Sequence, residues 1–195
     1  MLSEELEERH RLLVDKGVTM VDVNNIDPRN LSTAEFAQLL TPGTGNGSGV
    51  MDPRAFAKLI KYASDDQLDA VLSDPTLRRA LLDRIFSRMA DQFRPENAPQ
   101  RDSAIHWRLT GGDGDGELYE TWITGTRGSS TPQCVTTSEP SHDPRVTFTM
   151  AGEQFLKLVS GNSSPTMMFV TGKVKLDGDI AFAAQLTKIF DIPHA

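Results

Sequence analysis

Residues 146–162 have the sequence VTFTMAGEQFLKLVSGN, in which the spacing of apolar side chains changes from two residues to three or four. Apolar residues alternate with threonines up to Met150, as in a strand that buries one face. From Glu153 to Val159 the apolar residues recur at the spacing of one side of a helix. The stretch therefore predicts a strand at 146–148 that is followed directly by a helix.

The same two-residue alternation indicates further strands on both sides of this stretch. Residues 105–109 and 118–124 alternate around a Gly- and Asp-rich turn, which predicts an antiparallel hairpin. Short strands are also predicted at 133–137 and 173–176. Because strands and helices come in separate runs, the fold class is predicted to be α+β with one mostly antiparallel sheet.

Helix starts are marked by side chains that cap helix N-termini. Ser32 and Ser64 each begin a capping box, with a glutamate or glutamine three residues later. Asp52 and Asp74 each precede a proline, which is favoured at the first helical position. These signals predict four helix starts, and a strongly apolar run predicts one more helix after Asp179.

The helix after Pro75 is the most regular, because apolar residues recur at helical spacing over residues 77–93. We expect Arg78, Arg84 and Arg88 to face away from this apolar side. Such cations suit the phosphates of acyl-CoA or an anionic membrane surface. Aspartates on the same helix partly neutralise them, so a solvated charged face is the simpler interpretation.

Charge and cysteine content exclude several classes of protein. The 195 residues include 20 Lys and Arg against 27 Asp and Glu, and the net charge of −7 argues against a nucleic-acid partner. The single cysteine, Cys134, cannot form an internal disulfide, and no CxxC motif indicates a zinc site. The acidic N-terminus is unlike a signal peptide, and no apolar run is long enough to span a bilayer. We therefore expect a cytoplasmic protein without metal or cofactor.

Residues 145–190 resemble the sterol carrier protein family of lipid-binding domains. The resemblance rests on an ordered series: a strand ending in Thr149-Met150, a helix with the sequence FLKLVSG, a methionine-rich turn, the strand GKVKLDG, and a closing apolar helix. Residues 75–137 agree with the family in the order and type of their elements. One departure is Ala151, where a serine is expected to cap the helix, and its absence weakens the helix start by about 1 kcal/mol.

The resemblance implies a five-stranded sheet covered by helices that enclose a hydrophobic tunnel for a fatty acid, acyl-CoA, phospholipid or sterol. It implies no catalytic residues. The side chains expected to line the tunnel are Phe86, Met89, Trp107, Trp122, Phe148, Phe155, Val159, Met167, Met168, Phe169, Leu176, Phe182, Leu186 and Phe190. Lys173 is the expected contact for a ligand head group, because it lies inside the matched motif.

Composition and this resemblance together predict three segments. Residues 1–50 are predicted to be an N-terminal extension with short helices and a Gly-rich linker at 43–49. Residues 51–74 are predicted to be a helical lead-in, and residues 75–195 the sterol-carrier-like domain. Contact with a membrane surface is expected to be transient at most.

The leading hypothesis from the sequence is binding and intracellular transfer of one apolar lipid. Two alternatives stay open. The first is a small enzyme that transforms a hydrophobic metabolite in the same cavity, with His106, Tyr119 or Glu120 as the proton-transfer group, although no motif for nucleophilic or zinc catalysis accompanies them. The second is an interaction module, in which residues 1–72 recruit a protein partner or a second copy while the lipid domain senses ligand.

Overall fold

The computed structural model describes residues 26–40, 53–112, 116–127 and 131–192. The linker predicted at 43–49 and the helix cap predicted at Asp52 lie outside these ranges. The helices are α1 (Thr33–Leu40), α2 (Pro53–Tyr62), α3 (Asp65–Ser73), α4 (Pro75–Asp91), α5 (Gly152–Val159), α6 (Pro165–Val170), α7 (Ile180–Ala183) and α8 (Leu186–Ile189). The strands are β1 (Ser103–Thr110), β2 (Glu117–Ile123), β3 (Cys134–Thr137), β4 (Pro144–Ala151) and β5 (Val174–Gly178).

The five strands form one sheet in the order β3-β2-β1-β4-β5. β1 and β2 pair antiparallel as the predicted hairpin, with Trp107 opposite Tyr119. After β3 the chain crosses back to the other side of β1, so β4 pairs with β1 in parallel. The β2–β3 and β4–β5 pairs are antiparallel. The predicted fold class, α+β with a mostly antiparallel sheet, is confirmed.

Helices cover one face of the sheet, which we call the covered face; the other is the open face. In β1, Ile105, Trp107 and Leu109 are buried on the covered face. His106 and Arg108, which alternate with them, lie on the open face. The two-residue period in the sequence therefore reports which side of the sheet meets the helices.

Stacked aromatic rings join α4 to the covered face. The ring of Phe86 in α4 stacks on Tyr119 with centroids 4.2 Å apart and on Phe155 of α5 with centroids 5.1 Å apart. Trp107 and Phe148 stack across the β1–β4 pair at 4.8 Å. Pairs of this geometry contribute about 0.5–1.5 kcal/mol each beyond the burial of their area. They fix the distance between the helix layer and the sheet.

The N-terminal helices pack on the same core as the rest of the chain. Phe36 of α1 and Phe56 of α2 belong to one buried cluster with the covered face. The side-chain amide of Gln67 in α3 donates to two backbone carbonyls ahead of α1, each at 2.8 Å. Asn162, after α5, donates to the carbonyl of Ala57 at 2.8 Å. The described residues before α4 are therefore held to one another and to the end of α5 by polar contacts as well as by apolar packing.

The predicted helix caps are present where the structure describes them. Ser64 and Gln67 form the reciprocal hydrogen bonds of a capping box at α3. Asp74 accepts from two backbone amides in the first turn of α4. Ala151 makes no side-chain cap hydrogen bond at the start of α5, as its sequence position implies. Local side-chain chemistry thus sets where these helices begin.

The segment after Asp179 differs from the single helix that the sequence predicts, because it contains two short helices, α7 and α8. The amide of Gln185 donates to the carbonyl of Phe182 at 2.9 Å, and this three-residue bond tightens the chain into a turn between them. Phe190 then leaves the helix and pairs with Phe93 in an isolated bridge. The segment therefore wraps around the C-terminal end of α4.

Arg78 is buried rather than facing solvent as the sequence analysis expects. It is 2 % exposed, because the first turn of α4 lies over the end of the β1–β2 hairpin. Its Nε and Nη2 each lie 2.8 Å from a carboxylate oxygen of Glu117, and Nη2 also donates to the carbonyl of Thr110 at 3.2 Å. A planar guanidinium is suited to making all these bonds at once.

Replacement of Arg78 by lysine is expected to lower the free energy of unfolding by about 2 kcal/mol. An ammonium keeps the charge but cannot form the bidentate pair and the carbonyl bond together, so buried acceptors lose their donor. Arg79→Lys is the control, because Arg79 is 70 % exposed and should change stability by less than about 0.5 kcal/mol. Urea unfolding of both variants checks this expectation, and equal midpoints would contradict it.

Candidate functional site

An apolar cavity of about 80 Å³ lies between α4, the covered face and the segment that contains α7 and α8. Its apolar lining from these elements and α5 consists of Leu81, Ile85, Met89, Trp107, Phe148, Leu158, Val159, Ala183, Leu186, Phe190 and Ile192. The volume is several times that needed by one water molecule, and a cavity lined by such side chains favours an apolar occupant over water.

The N-terminal part of the chain also contributes to the lining. Leu40, the last residue of α1, and Pro53 and Phe56 of α2 border the cavity. These residues were not among the predicted lining residues, because residues 1–50 and 51–74 were expected to lie outside the lipid-binding domain. The apolar side of α2 was the available signal, since an amphipathic helix must bury that side against something.

The polar side chains at the cavity lie mainly along one row of α4. Arg84, Arg88 and Gln92 are four residues apart and border the apolar stripe that faces the cavity, and Thr187 lies opposite on α8. Burial lowers the pKa of Arg84, and the charge of Arg88 lowers it further. Both arginines are half-buried rather than directed into solvent as expected. Two neighbouring cations at an apolar cavity favour an anionic group there.

Six of the expected tunnel residues border this cavity. They come from five different elements and from the residue that follows α8, and the fold brings them together. They are Met89, Trp107, Phe148, Val159, Leu186 and Phe190.

Four other expected residues are buried in the core and do not border the cavity. Phe86 and Phe155 are enclosed by ring stacking with each other. Phe182 packs under the guanidinium of Arg145, whose Cζ lies 4.1 Å from the ring centroid. Met168 is on the buried side of α6. Apolar character in the sequence does not separate such packing residues from lining residues.

The remaining expected residues lie farther from the cavity. Met167 and Phe169 are exposed, because the short helix α6 has one inward side and Met168 occupies it. Trp122 lies on the open face, since it alternates with Thr121 along β2. The half-buried Leu176 lies on β5, at the edge of the sheet.

Lys173 does not border the cavity either. It is exposed in the turn before β5 and therefore is not placed to meet a ligand head group there. Arg84 and Arg88 are cations that do border the cavity.

The proton-transfer candidates of the enzyme hypothesis are divided between the two faces of the sheet. Tyr119 is on the covered face, where its hydroxyl donates to Asp83 at 2.6 Å. Burial, and then the hydrogen bond and charge of Asp83, raise the pKa of Tyr119. His106 and Glu120 lie opposite one another on the open face. None of the three borders the cavity.

Glu120 is a buried carboxylate held under the loop between β3 and β4. It is 1 % exposed, and its oxygens lie 2.8 Å from Nδ1 of His142 and 3.3 Å from Nε2 of His106. The backbone amides of Ser141 and His142 donate to it at 3.2 and 2.9 Å. The ring of His142 stacks on Trp122 with centroids 3.7 Å apart. These contacts anchor the loop to the open face.

This cluster lacks the arrangement of a serine-histidine-carboxylate relay. Such a relay uses the two ring nitrogens of histidine for different partners. Here the hydroxyl of Ser141 and the carboxylate of Glu120 both approach the same nitrogen, Nδ1 of His142. Burial raises the pKa of the Cys134 thiol to about 12, so this cysteine is not an activated nucleophile. In the described ranges, no three His, Cys, Asp or Glu side chains are grouped to hold a metal ion.

The C-terminal half of the chain is similar to known proteins. A family model described as the SCP-2 sterol transfer family matches residues 97–191. Hydroxysteroid dehydrogenase-like protein 2 from Rattus norvegicus is 32% identical over 108 residues, which are 55% of this chain and 19% of that protein. The chain spans less than a third of the length of the curated relatives it matches.

Two solved structures are also similar. Sterol Carrier Protein 2 Like 2 from Aedes aegypti has a TM-score of 0.41 and 17% identity, over 58% of this chain and 95% of that one. The sec-alkylsulfatase Pisa1 from Pseudomonas sp. has a TM-score of 0.46 and 15% identity, over 82% of this chain and 27% of that one.

Within the part of this chain that the structure describes, no helix is both long and apolar enough to cross a bilayer.

Acid is expected to destabilise the fold partly through Glu120. Burial raises the pKa of Glu120, but the hydrogen bonds from His142, His106 and Ser141 outweigh burial and hold the pKa below its ordinary value. The unfolded state therefore binds the proton more readily. The stabilisation is complete above the unfolded pKa of about 4.3 and is lost as pH falls through the folded pKa.

We expect the melting temperature of Glu120→Gln to fall less than that of the wild type between about pH 6 and about pH 3. Glu139→Gln is the control, because Glu139 is an exposed carboxylate of the same loop and should leave the wild-type slope unchanged. Circular dichroism melts at matched ionic strength measure the slopes. If the melting temperatures of wild type and Glu120→Gln fall equally with pH, the pKa of Glu120 is the same in the folded and unfolded states, which would contradict this expectation.

Proposed function

Because residues 97–191 belong to the SCP-2 sterol transfer family, we propose that this chain binds one apolar lipid ligand in the cavity between α4 and the covered face. The family supports lipid binding and transfer in general. The observation that carries the specific proposal is an apolar cavity whose lining comes from nine helices and strands of the fold. Burial of each ligand methylene there contributes about 0.8 kcal/mol.

The ligand class that fits best is a single-chain anionic amphiphile such as a fatty acid. A cavity of about 80 Å³ holds part of a hydrocarbon chain, so the remainder extends to the rim. Arg84 and Arg88 lie at that rim, one helical turn apart. A carboxylate between two guanidinium groups forms charge-assisted hydrogen bonds and offsets the repulsion between them. We therefore assign these arginines, rather than Lys173, to the head group.

The proposed role is binding without a reaction. His106 and Glu120 are on the open face, and the hydroxyl of Tyr119 is bonded to Asp83, so none of the proton-transfer candidates reaches a ligand in the cavity. The relatives named hydroxysteroid dehydrogenase-like are much longer than this chain, so the dehydrogenase activity in their name is not assigned to it. Recruitment of a protein partner by residues 1–72 and a cytoplasmic location stay predictions.

Filling the cavity should reduce ligand uptake. Ala183 borders the cavity and Ala184, next to it, does not, so the same substitution tests both positions. Ala183→Leu should weaken binding of dodecanoate more than tenfold, because displacing two methylenes costs about 1.6 kcal/mol. Ala184→Leu should bind like the wild type. Isothermal titration measures the affinities, and circular dichroism melts check that both variants fold. Equal affinity of the two variants would place the ligand elsewhere.

The arginine rim should select for an acidic head group. We expect the Arg84→Gln/Arg88→Gln double variant to bind dodecanoate at least tenfold more weakly, since a hydrogen bond to a charged group contributes about 1.5–3 kcal/mol. Its affinity for 1-dodecanol should change little. Arg79→Gln, on the solvent side of the same helix, should leave both affinities unchanged. A parallel loss for acid and alcohol would contradict the head-group assignment.

A further inference from the structure

Helix α6 exposes three large apolar side chains side by side, which we call the α6 patch. Val170 is 73 %, Met167 58 % and Phe169 48 % exposed, while Met168 is buried on the inner side of the helix. The three exposed side chains lie on the solvent-facing side of this six-residue helix. Clustered exposed apolar side chains usually mark a surface that meets a partner.

Helix α6 borders the cavity at its first residue. Pro165, the first residue of α6, is one of the residues that line it. A surface that met the α6 patch would therefore lie near the cavity. The patch itself does not enter the cavity, because Met167, Phe169 and Val170 are outside its lining.

The charge around the α6 patch is opposite to that of the whole chain. Between Glu153 and Asp177 the sequence contains no acidic residue and three lysines, although the net charge of the chain is −7. Lys157 pairs with Glu153. Lys173 and Lys175 are exposed on the turn and strand β5 against which α6 packs, and neither forms an ion pair with a described residue. The backbone amide of Lys173 donates to the carbonyl of Met168 at 2.8 Å, so the apolar side chains lie beside this exposed cation. Lys175 lies opposite Thr149, on the open face of the sheet.

We propose that the α6 patch docks this protein on an anionic membrane surface, with Phe169 and Val170 in the interface and Lys173 against lipid head groups. Shallow insertion of apolar side chains next to cations is the usual mode of interfacial binding. A second copy of the chain is a weaker occupant. Three side chains on one short helix offer far less than the roughly 800 Å² per partner of a stable dimer.

The docking role goes beyond the proposed function, because ligand binding in the cavity does not require a membrane. Ligand binding and membrane docking use neighbouring parts of the molecule. Docking would bring the cavity close to a membrane that supplies or receives an apolar ligand. The two roles depend on different side chains, so each can fail while the other holds.

Vesicle flotation of the full chain tests the docking role. The wild type should bind phosphatidylcholine vesicles that contain about 30 % phosphatidylserine and bind pure phosphatidylcholine weakly. Phe169→Ser/Val170→Ser should lose most of this binding. Val135→Ser is the matched control, because Val135 is 56 % exposed but lies on β3 at the opposite edge of the sheet. Lys173→Gln should weaken binding to the anionic vesicles about fivefold, and Lys175→Gln, on the open face of the sheet, should weaken it less.

Several outcomes would overturn the docking role: no vesicle binding by the wild type, equal binding by Phe169→Ser/Val170→Ser, or a wild-type dimer in light scattering that this variant disrupts without any vesicle binding. The Phe169→Ser/Val170→Ser variant should still take up dodecanoate as the wild type does. Wild-type uptake without docking would overturn this inference alone, and docking without wild-type uptake of dodecanoate would overturn the proposed function alone.

Discussion

The buried guanidinium of Arg78 fixes helix α4 over the β1–β2 hairpin, and the position of α4 determines the cavity. α4 contributes both an apolar wall and the arginine rim, so a shift of this helix would change the shape and the charge of the site together. The start of α5 is fitted to the same guanidinium. A Cβ at Gly152 would lie 3.0 Å from Nη1 of Arg78, so a larger residue there would force the guanidinium or α5 to shift. One ionic contact thereby sets the relation of two helices to the sheet.

Because helices cover only one face of the sheet, the apolar cavity and the Glu120 cluster lie on opposite faces. The cavity lies on the covered face, where aromatic stacking and apolar side chains exclude water. The buried carboxylate of Glu120 and its histidine partners lie on the open face and hold a surface loop. Because residues on a strand alternate between the faces, neighbours in sequence such as Tyr119 and Glu120 end up in unrelated environments. Proximity in the sequence therefore says little about a shared site here.

Elements with a local cause were predictable from the sequence, and contacts with a distant cause were not. The capping boxes, the hairpin and the strand–helix change after Met150 follow from neighbouring side chains, and the family match at residues 97–191 confirms the resemblance drawn from residues 145–190. The burial of Arg78 depends on a carboxylate 39 residues away. The parallel β1–β4 pair and the wall contributed by the N-terminal helices likewise depend on how separate parts of the chain meet.

The α6 segment shows why an apolar run is ambiguous. Residues 167–170 are all large and apolar, so no periodicity in the sequence distinguishes an inward side from an outward one. Packing against β5 makes the choice, and it buries Met168 and leaves the other three exposed. A sequence selected only for a stable core would gain by making those three positions polar. Their exposure next to Lys173, on a helix whose first residue lines the apolar cavity, is what the proposed membrane docking explains.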